Sequence, residues 1–311
     1  MKVIQRTAPS PVATVFIGKT ETGALVEFVE SVEPPYPVEK KWVTIVSTLY
    51  GCPVQCSMCD AGLRYRGKLT LNDILAQLDY LINNRFPGGV VRSEKWKVQF
   101  ARMGDPAFNG HVIAAMRILP ERYRAQGLFP SISTIAPCGC DRFFSELVEV
   151  KRECYPERFQ FQFSIHSSDE RVRRQLIPVD TWDFRRMAAY GEAIHAGVGR
   201  FPSLNFALMK DVPVDPAELR RHFSPELFVL KVTPLNPTSQ ALQNGLVSLY
   251  DDPEGWRRTV GSLRDAGYTV IESVGELVEN AIGSNCGQYI QAVTAGNTPP
   301  GSYSRRLEAV D

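Results

Sequence analysis

The chain has 311 residues, a formal net charge of +1 and a hydrophobic share of 44%. That length and composition suit one large globular domain or two ordinary ones, and so even a charge balance gives no support to wrapping a long nucleic acid. Residues 1–18 lack a charged stretch followed by an apolar core, and no apolar run is long enough to span a bilayer. An exported or membrane-embedded protein is therefore not expected. Seven cysteines without an export signal read as metal or catalytic groups in a reducing cytoplasm, not as a disulfide framework.

In chain order, Thr14–Gly18 and Gly23–Val32 predict a short β-hairpin turning at Thr20–Gly23, which makes residues 1–40 an N-terminal β extension. Strand-like runs follow at Trp42–Leu49, Trp96–Ala101, Pro130–Thr134, Phe159–Ile165, Ser203–Met209 and Phe228–Thr233. Between them lie helices with start signals. Thr70 precedes Leu71–Asn83 with Asp73 in capping-box spacing, and Thr181 precedes Trp182–Ala196. Asp215-Pro216 and Asp252-Pro253 each put an N-cap before a proline. Six alternations of strand and helix predict a parallel sheet, either an open doubly wound sheet or an incomplete (β/α) barrel, over residues 41–275. In both, the loops leaving the carboxyl ends of the strands carry the chemistry. Residues 276–311 form a C-terminal section, and from Thr294 they read as a mobile loop.

Directly after the first parallel strand comes Gly51-Cys52-Pro53-Val54-Gln55-Cys56-Ser57-Met58-Cys59. Three thiolates at C-x3-C-x2-C spacing on one short loop can ligate three irons of a [4Fe-4S] cubane, which leaves the fourth iron open to an exogenous chelate. S-adenosylmethionine is such a chelate, and its reductive cleavage gives a 5′-deoxyadenosyl radical. A zinc site would need a fourth Cys or His nearby, and the closest histidine, His111, is far along the chain.

Several later segments resemble, in order, the RlmN/Cfr-like branch of the radical S-adenosylmethionine superfamily, whose members methylate adenine in RNA. Arg102-Met103-Gly104-Asp105-Pro106 is similar to that family's G-M-G-E-P, with Asp105 in place of the glutamate. Ser131-Ile132-Ser133-Thr134 resembles its L-S-T-S. Phe163-Ser164-Ile165-His166, followed by Asp169-Glu170-Arg171-Val172-Arg173, resembles I-S-L-H and N-D-E-I-R. Thr233-Pro234-Leu235-Asn236-Pro237 resembles I-P-W-N-P. The resemblance implies a partial (β/α)6 barrel and cofactor contacts from Gly104, Asp105, Ser133, Ser164, Ile165, His166 and Asn236.

It also implies that Cys286, in Cys286-Gly287-Gln288, accepts a methyl group from one cofactor molecule. A radical made from a second then activates that S-methyl for addition to an sp² carbon. Glu33, in a segment similar to V-E-x-V-x-I-P, would be the acid–base group. An electron donor such as flavodoxin or ferredoxin would be the partner.

Two departures shape the expectation. The family's resolving cysteine, seven residues before the first cluster cysteine, is replaced here by Ile45. Cys138 and Cys140 leave the third strand on the active face, where Asp141 would cap the next helix, and could offer a substitute thiol. That hypothesis predicts that Cys140→Ser leaves cofactor cleavage intact but traps or abolishes turnover; unchanged product formation would sink it. The family's N-terminal helical RNA-binding domain has no counterpart before the hairpin. With the near-neutral charge, this favours a small molecule or nucleobase over large RNA as substrate. The competing readings are a radical enzyme acting on substrate without methyl transfer and a non-catalytic cluster-binding protein.

Overall fold

The computed structural model describes the chain except residues 9, 33–35, 63–64, 276–278, 280–281, 285–288, 291–306 and 311. Among the described residues one sheet carries eleven strands. It begins with β1 (Lys2–Thr7), β2 (Ala13–Lys19) and β3 (Leu25–Ser31), which are antiparallel to their neighbours. β3 pairs antiparallel with β4 (Lys41–Val46). From there the strands run parallel: β5 (Lys95–Phe100), β6 (Leu128–Thr134), β7 (Gln160–Ser164), β8 (Ser203–Leu208), β9 (Val229–Pro234) and β10 (Val270–Glu272). β11 (Leu307–Ala309) adds to the far edge beside β1. Among the described residues no pairing joins β10 back to β4, so the sheet is an open, partial barrel.

The six expected alternations are present, and β10 continues the series as a short seventh parallel strand. The helices are α1 (Leu71–Arg85), α2 (His111–Arg122), α3 (Asp141–Cys154), α4 (Glu170–Leu176), α5 (Phe184–His195), α6 (Pro216–Arg220), α7 (Ser239–Gln243) and α8 (Pro253–Asp265). The Thr70 capping box forms as the spacing predicts: Thr70 Oγ1 accepts from the Asp73 amide at 3.1 Å, and the Asp73 carboxylate accepts from the Thr70 amide at 3.2 Å.

Some expectations need correction. The N-terminal extension is a three-stranded meander, because Lys2–Thr7 also pairs with β2. Part of the C-terminal tail is a strand, since Leu307–Ala309 finds open backbone groups at the edge presented by β1. Helix α5 is capped by Asp183, whose carboxylate accepts from the Arg186 amide at 2.7 Å, and not by Thr181. Asp141 is the first residue of α3 and not its cap; Cys140 occupies that position with no side-chain capping bond.

Side chains alternate across each strand, so each parallel strand has one face toward the helices and one toward the concave side. The outer set, including Trp42, Trp96, Val98, Phe100, Ile132, Phe163, Phe206 and Val232, is buried in the main core. Trp42 and Trp96 stack there at 5.6 Å between ring centroids. The inner set is strongly polar. Strand register puts Lys41 beside Lys95, Gln99 beside Ser131, Ser133 beside Gln162, and Asn205 beside Lys231. Toward the antiparallel edge the concave face turns apolar, where Val15, Ile17 and Val29 pack with Ile282, Tyr289 and Ile45.

Candidate active site

The cysteine loop leaves β4 at the carboxyl end of the sheet. Its approach is fixed by paired side-chain contacts: Gln77 accepts from the Ser47 amide at 2.8 Å and donates to the Ser47 carbonyl at 3.1 Å. Thr48 and Leu49 amides both donate to the Met103 carbonyl, at 2.9 and 3.0 Å, which joins this segment to the turn after β5. The loop then folds tightly, with Gly51 and Gln55 in left-handed conformations, φ 81° and 57°. Gly62 closes it: a Cβ there would lie 2.5 Å from Gln55 Cα, so only glycine fits. Ser57 N–H donates to Leu176 O at 3.0 Å, and Thr238 Oγ1 donates to Met58 O at 2.8 Å. Asp60 accepts from the Ser239 and Gln240 amides at the start of α7, at 3.1 and 2.9 Å. The loop is thus tied to β4, α4 and the β9–α7 connection.

The other described sequence-derived residues lie at or just beyond the carboxyl ends of β5, β6, β7 and β9. Gly104 has φ 88°, and a Cβ there would lie 2.4 Å from Leu49, so the turn needs glycine twice over. Asp105 is buried. Its Oδ1 accepts from Ala107 N–H and Thr134 Oγ1, both at 2.9 Å, and its Oδ2 from Ile135 N–H at 2.7 Å. Burial pushes its carboxyl up to about 6, against the downward pull of those donors. Three of about four acceptor positions on the carboxylate are filled, leaving room for one more donor.

Ser133 and Ser164 are half-buried on the concave face. Ile165 is different: its side chain is fully buried in the main core, and its amide donates to Asn205 O at 2.9 Å. His166 has φ 66°, a left-handed conformation uncommon for a residue with a side chain. Its Nδ1 accepts from Ala207 N–H at 3.1 Å, so the neutral ring carries its proton on Nε2. Burial, assisted by the nearby Arg173 charge, pushes this imidazole down to about 4. A depressed histidine contributes stability that is present above pH 6.5 and lost as pH falls toward 4. The urea midpoint of the wild type is expected to fall between pH 7.5 and 5, and to fall less in His166→Gln. Asn236 is half-buried, and its backbone carbonyl accepts from Thr238 N–H at 2.8 Å.

Among curated proteins, the chain is 29% identical over 188 residues to the probable dual-specificity RNA methyltransferase RlmN of Thermus thermophilus, matching 59% of this chain and 49% of that one. It is 27% identical over 307 residues to the corresponding protein of Frankia alni, which covers 94% of this chain and 66% of the relative. The dual-specificity RNA methyltransferase RlmN of Pseudomonas fluorescens is 26% identical over 264 residues, 81% of this chain and 66% of the relative. The crystal structure of a radical SAM methyltransferase from Sphaerobacter thermophilus shares the fold, with a TM-score of 0.72 at 21% identity over 92% of this chain and 80% of that chain. The chain is similar to RlmN-type radical SAM methyltransferases, over 94% of its length in the Frankia case. No family model matches it, and it spans about half the length of the Thermus relative.

That similarity implies a [4Fe-4S] cluster and S-adenosylmethionine as cofactors, and the cysteine loop fits such a cluster. Cys52, Cys56 and Cys59 form no disulfide with a described cysteine. Burial pushes Cys52 up to about 11 and Cys56 up to about 12, with the neighbouring Cys52 charge raising Cys56 further. Thiolates this close together on one loop call for a compensating cationic centre. Among the described residues no three Cys, His, Asp or Glu side chains converge as ligands of a single ion would. A cubane gives each thiolate its own iron, so its ligands need not converge.

The structure adds residues that the sequence motifs left unassigned. Arg173 is buried and donates to Ile135 O at 2.7 Å and to Thr181, and its charge acts on both Cys56 and His166. It is the last residue of the segment similar to N-D-E-I-R. Thr134, next to Ser133, is the hydroxyl bonded to Asp105.

Arg102 and Glu27 form a fully buried ion pair. Arg102 also donates to the Gly283 and Ser284 carbonyls, each at 2.8 Å, while Glu27 accepts from the Tyr289 and Ile290 amides at 2.9 and 3.3 Å. Val26-Glu27-Phe28-Val29 carries V-E-x-V six residues before Glu33, and that repeat of the pattern was the available signal. Cys286 and Glu33 lie outside the described residues. The described residues on both sides of Cys286 are the ones clamped by this pair, and of these Tyr289 and Ile290 pack, with Ile282, in the cluster that contains Ile45. Cys138 is exposed and Cys140 half-buried; the Asp105 and Lys68 charges both act on the Cys140 thiol.

Proposed function

We propose that this protein is a radical SAM methyltransferase that methylates an unreactive sp² carbon through Cys286. What supports this reading most is Arg102. It belongs to the same turn as Asp105, and it also holds the carbonyls of Gly283 and Ser284. One buried side chain therefore ties the cofactor turn to the segment bearing Cys286.

When bound, the cluster at Cys52, Cys56 and Cys59 would supply the electron that cleaves the sulfonium cofactor. The chain's own groups do the rest. Asp105 offers its remaining acceptor position to the cofactor ammonium, and Gly104, Ser133, Ser164, the Ile165 backbone, neutral His166 and Asn236 border the same space. Cys286 would lose its thiol proton and take the methyl carbon of one cofactor molecule, the S–CH₃ bond forming as the bond from that carbon to the sulfonium sulfur breaks and the thioether leaves. Glu33 would serve as the proton carrier. The assignment predicts that Cys286→Ala forms no methylated product while still releasing 5′-deoxyadenosine under strong reductant. Methyl-labelled cofactor should place the label on the Cys286 peptide of the wild type; an unlabelled peptide in a turning-over enzyme overturns the proposal.

Ile45 favours a second reading, in which the deoxyadenosyl radical acts directly on substrate and Cys286 is structural or a hydrogen-atom donor. The same label experiment separates the two, because only the first leaves an S-methyl. Cys140 is proposed as the substitute resolving thiol for the first, tested by the serine variant described above.

The relatives are named RNA methyltransferases. They give no support to the expectation that large RNA is disfavoured, and an RNA nucleobase stands beside a small nucleobase-containing molecule as substrate. Flavodoxin or ferredoxin is the proposed reductant. No described helix is long and apolar enough to cross a membrane, and a cytoplasmic location accompanies this reading.

A further inference from the structure

The cysteine loop packs against α4 through a short apolar interface. Val172, Leu176 and Ile177 share one cluster with Cys52, Cys56, Cys59 and Ile135. The Ser57 amide and hydroxyl both donate to the Leu176 carbonyl, at 3.0 and 3.2 Å. Arg173 follows Val172 and lies about one turn before Leu176 and Ile177, and the Ile177 amide donates to its carbonyl at 2.9 Å. A guanidinium is thereby built into the wall beside the cysteine loop, on a residue only 3% exposed.

Burying a cation costs free energy that bonds to neutral groups offset only in part. Arg173 donates to the Ile135 carbonyl at 2.7 Å and to the Thr181 hydroxyl, while its Nε is buried with no hydrogen-bond partner. Among the described residues no carboxylate forms an ion pair with it. Glu170 is exposed and acts on Arg173 from beyond contact distance, its carboxylate accepting from the Phe184 amide at 2.8 Å. Arginine keeps its charge in a protein interior, so it does not escape the penalty by deprotonating. The charges with the largest effects on the Cys56 thiol are Cys52 and Asp105, which raise it, and Arg173, which lowers it. Ile135 joins the two buried groups of opposite sign: its carbonyl accepts from Arg173, and its amide donates to Asp105 at 2.7 Å.

We propose that Arg173 is the counter-charge of the cysteine loop, a positioning residue that favours the reduced form of the cluster held there and so raises its reduction potential. One electron from a low-potential donor adds one unit of negative charge at Cys52, Cys56 and Cys59, with no bond made and no proton moved. A fixed cation beside the loop stabilises that added charge, and does so strongly because the wall between them is apolar. The inference rests on the cluster at these three cysteines and not on methyl transfer through Cys286.

The test is a redox titration, followed by electron paramagnetic resonance, of reconstituted full-length wild type, Arg173→Gln, Arg173→Lys and Glu170→Gln, with iron content measured first. At a potential where half the wild-type cluster is reduced, the reduced-to-oxidised ratio should fall about tenfold in Arg173→Gln, a shift of about 59 mV for one electron. Arg173→Lys keeps the charge without the planar fork and should stay within about threefold of the wild type. Glu170→Gln should move the ratio the opposite way, by a smaller factor that added salt reduces, because the carboxylate it removes is exposed. Its amide oxygen can still accept from Phe184. A guanidinium kept only to hold Ile135 and Thr181 predicts a different pattern: Lys and Gln disturb the fold alike, and the potential does not follow charge. Wild-type potential in Arg173→Gln, or equal shifts in the Gln and Lys variants, overturns the proposal. If Arg173→Gln binds no iron, the other two decide it. An upward shift in Glu170→Gln with Arg173→Lys near the wild type upholds the proposal, and an unshifted Glu170→Gln overturns it. A reconstituted wild type without iron removes the cluster assignment and this inference with it. One that cleaves the cofactor at a potential indifferent to Arg173 loses only this inference.

Discussion

Replacing Cys56 by serine is expected to abolish reductive cleavage of S-adenosylmethionine while leaving the fold in place. After anaerobic reconstitution the variant should lack the broad iron–sulfur absorption near 400 nm, hold a small fraction of the wild-type iron, and give no detectable 5′-deoxyadenosine with dithionite. The thiol is half-buried on a loop held by other groups, through Ser57 to Leu176, Met58 to Thr238 and Asp60 to α7. Removing one sulfur takes away a ligand without removing those anchors, so the melting temperature of the metal-free protein should change little. Cys154, a free cysteine at the end of α3 away from the loop, is the control. Cys154→Ser should keep both iron and cleavage, and a Cys56→Ser protein that retains both would remove the cluster assignment.

The largest effect on stability is expected at the buried ion pair. Arg102→Met leaves Glu27 charged and fully buried without its cation and leaves the Gly283 and Ser284 carbonyls without their donor. Breaking a buried pair from one side costs about 3–5 kcal/mol, read as a large drop in the denaturant midpoint. Pairing it with Glu27→Gln should recover part of the loss, because the orphan charge goes too. The pH dependence has a defined sign. Burial already holds the Glu27 carboxyl above its usual value, with Arg102 pulling it down. Without Arg102 it rises further, and a raised carboxyl favours the fold at low pH and disfavours it as pH climbs. The deficit of Arg102→Met should therefore be smaller at pH 5 than at pH 8. A deficit that does not depend on pH would mean that Glu27 is compensated by another group. If the pair also positions the Cys286 segment, the single variant should lose methylated product by a larger factor than it loses deoxyadenosine.

Local signals carried much of the fold. The capping box at Thr70, the Asp-Pro starts of α6 and α8 and the six strand runs all depend on contacts within a few residues, and each forms where expected. The misses share a cause. Lys2–Thr7 and Leu307–Ala309 have weak patterns of their own and become strands because a neighbouring edge offers them hydrogen bonds. Asp183 displaces Thr181 as a cap because backbone geometry, not spacing alone, decides which side chain reaches the free amides.

The site divides along the same line. Sequence by itself determined the cysteine loop, since three cysteines at fixed spacing on one short segment are brought near each other by the chain itself. It also determined the turn at Gly104-Asp105 and the strand end at His166, because each is a short segment with its own pattern. Only the tertiary structure decided which groups meet across the sheet. Glu27 and Arg102 are 75 residues apart, and Arg102 and Ser284 are 182 apart, yet they share one buried contact. Lys41, Lys95, Lys97 and Lys231 look like scattered surface lysines in the sequence. They come to share one concave face because strand register and alternation turn all of them the same way. A linear pattern records which way each side chain points along its own strand; which strands lie side by side is set by the pairing of the whole sheet.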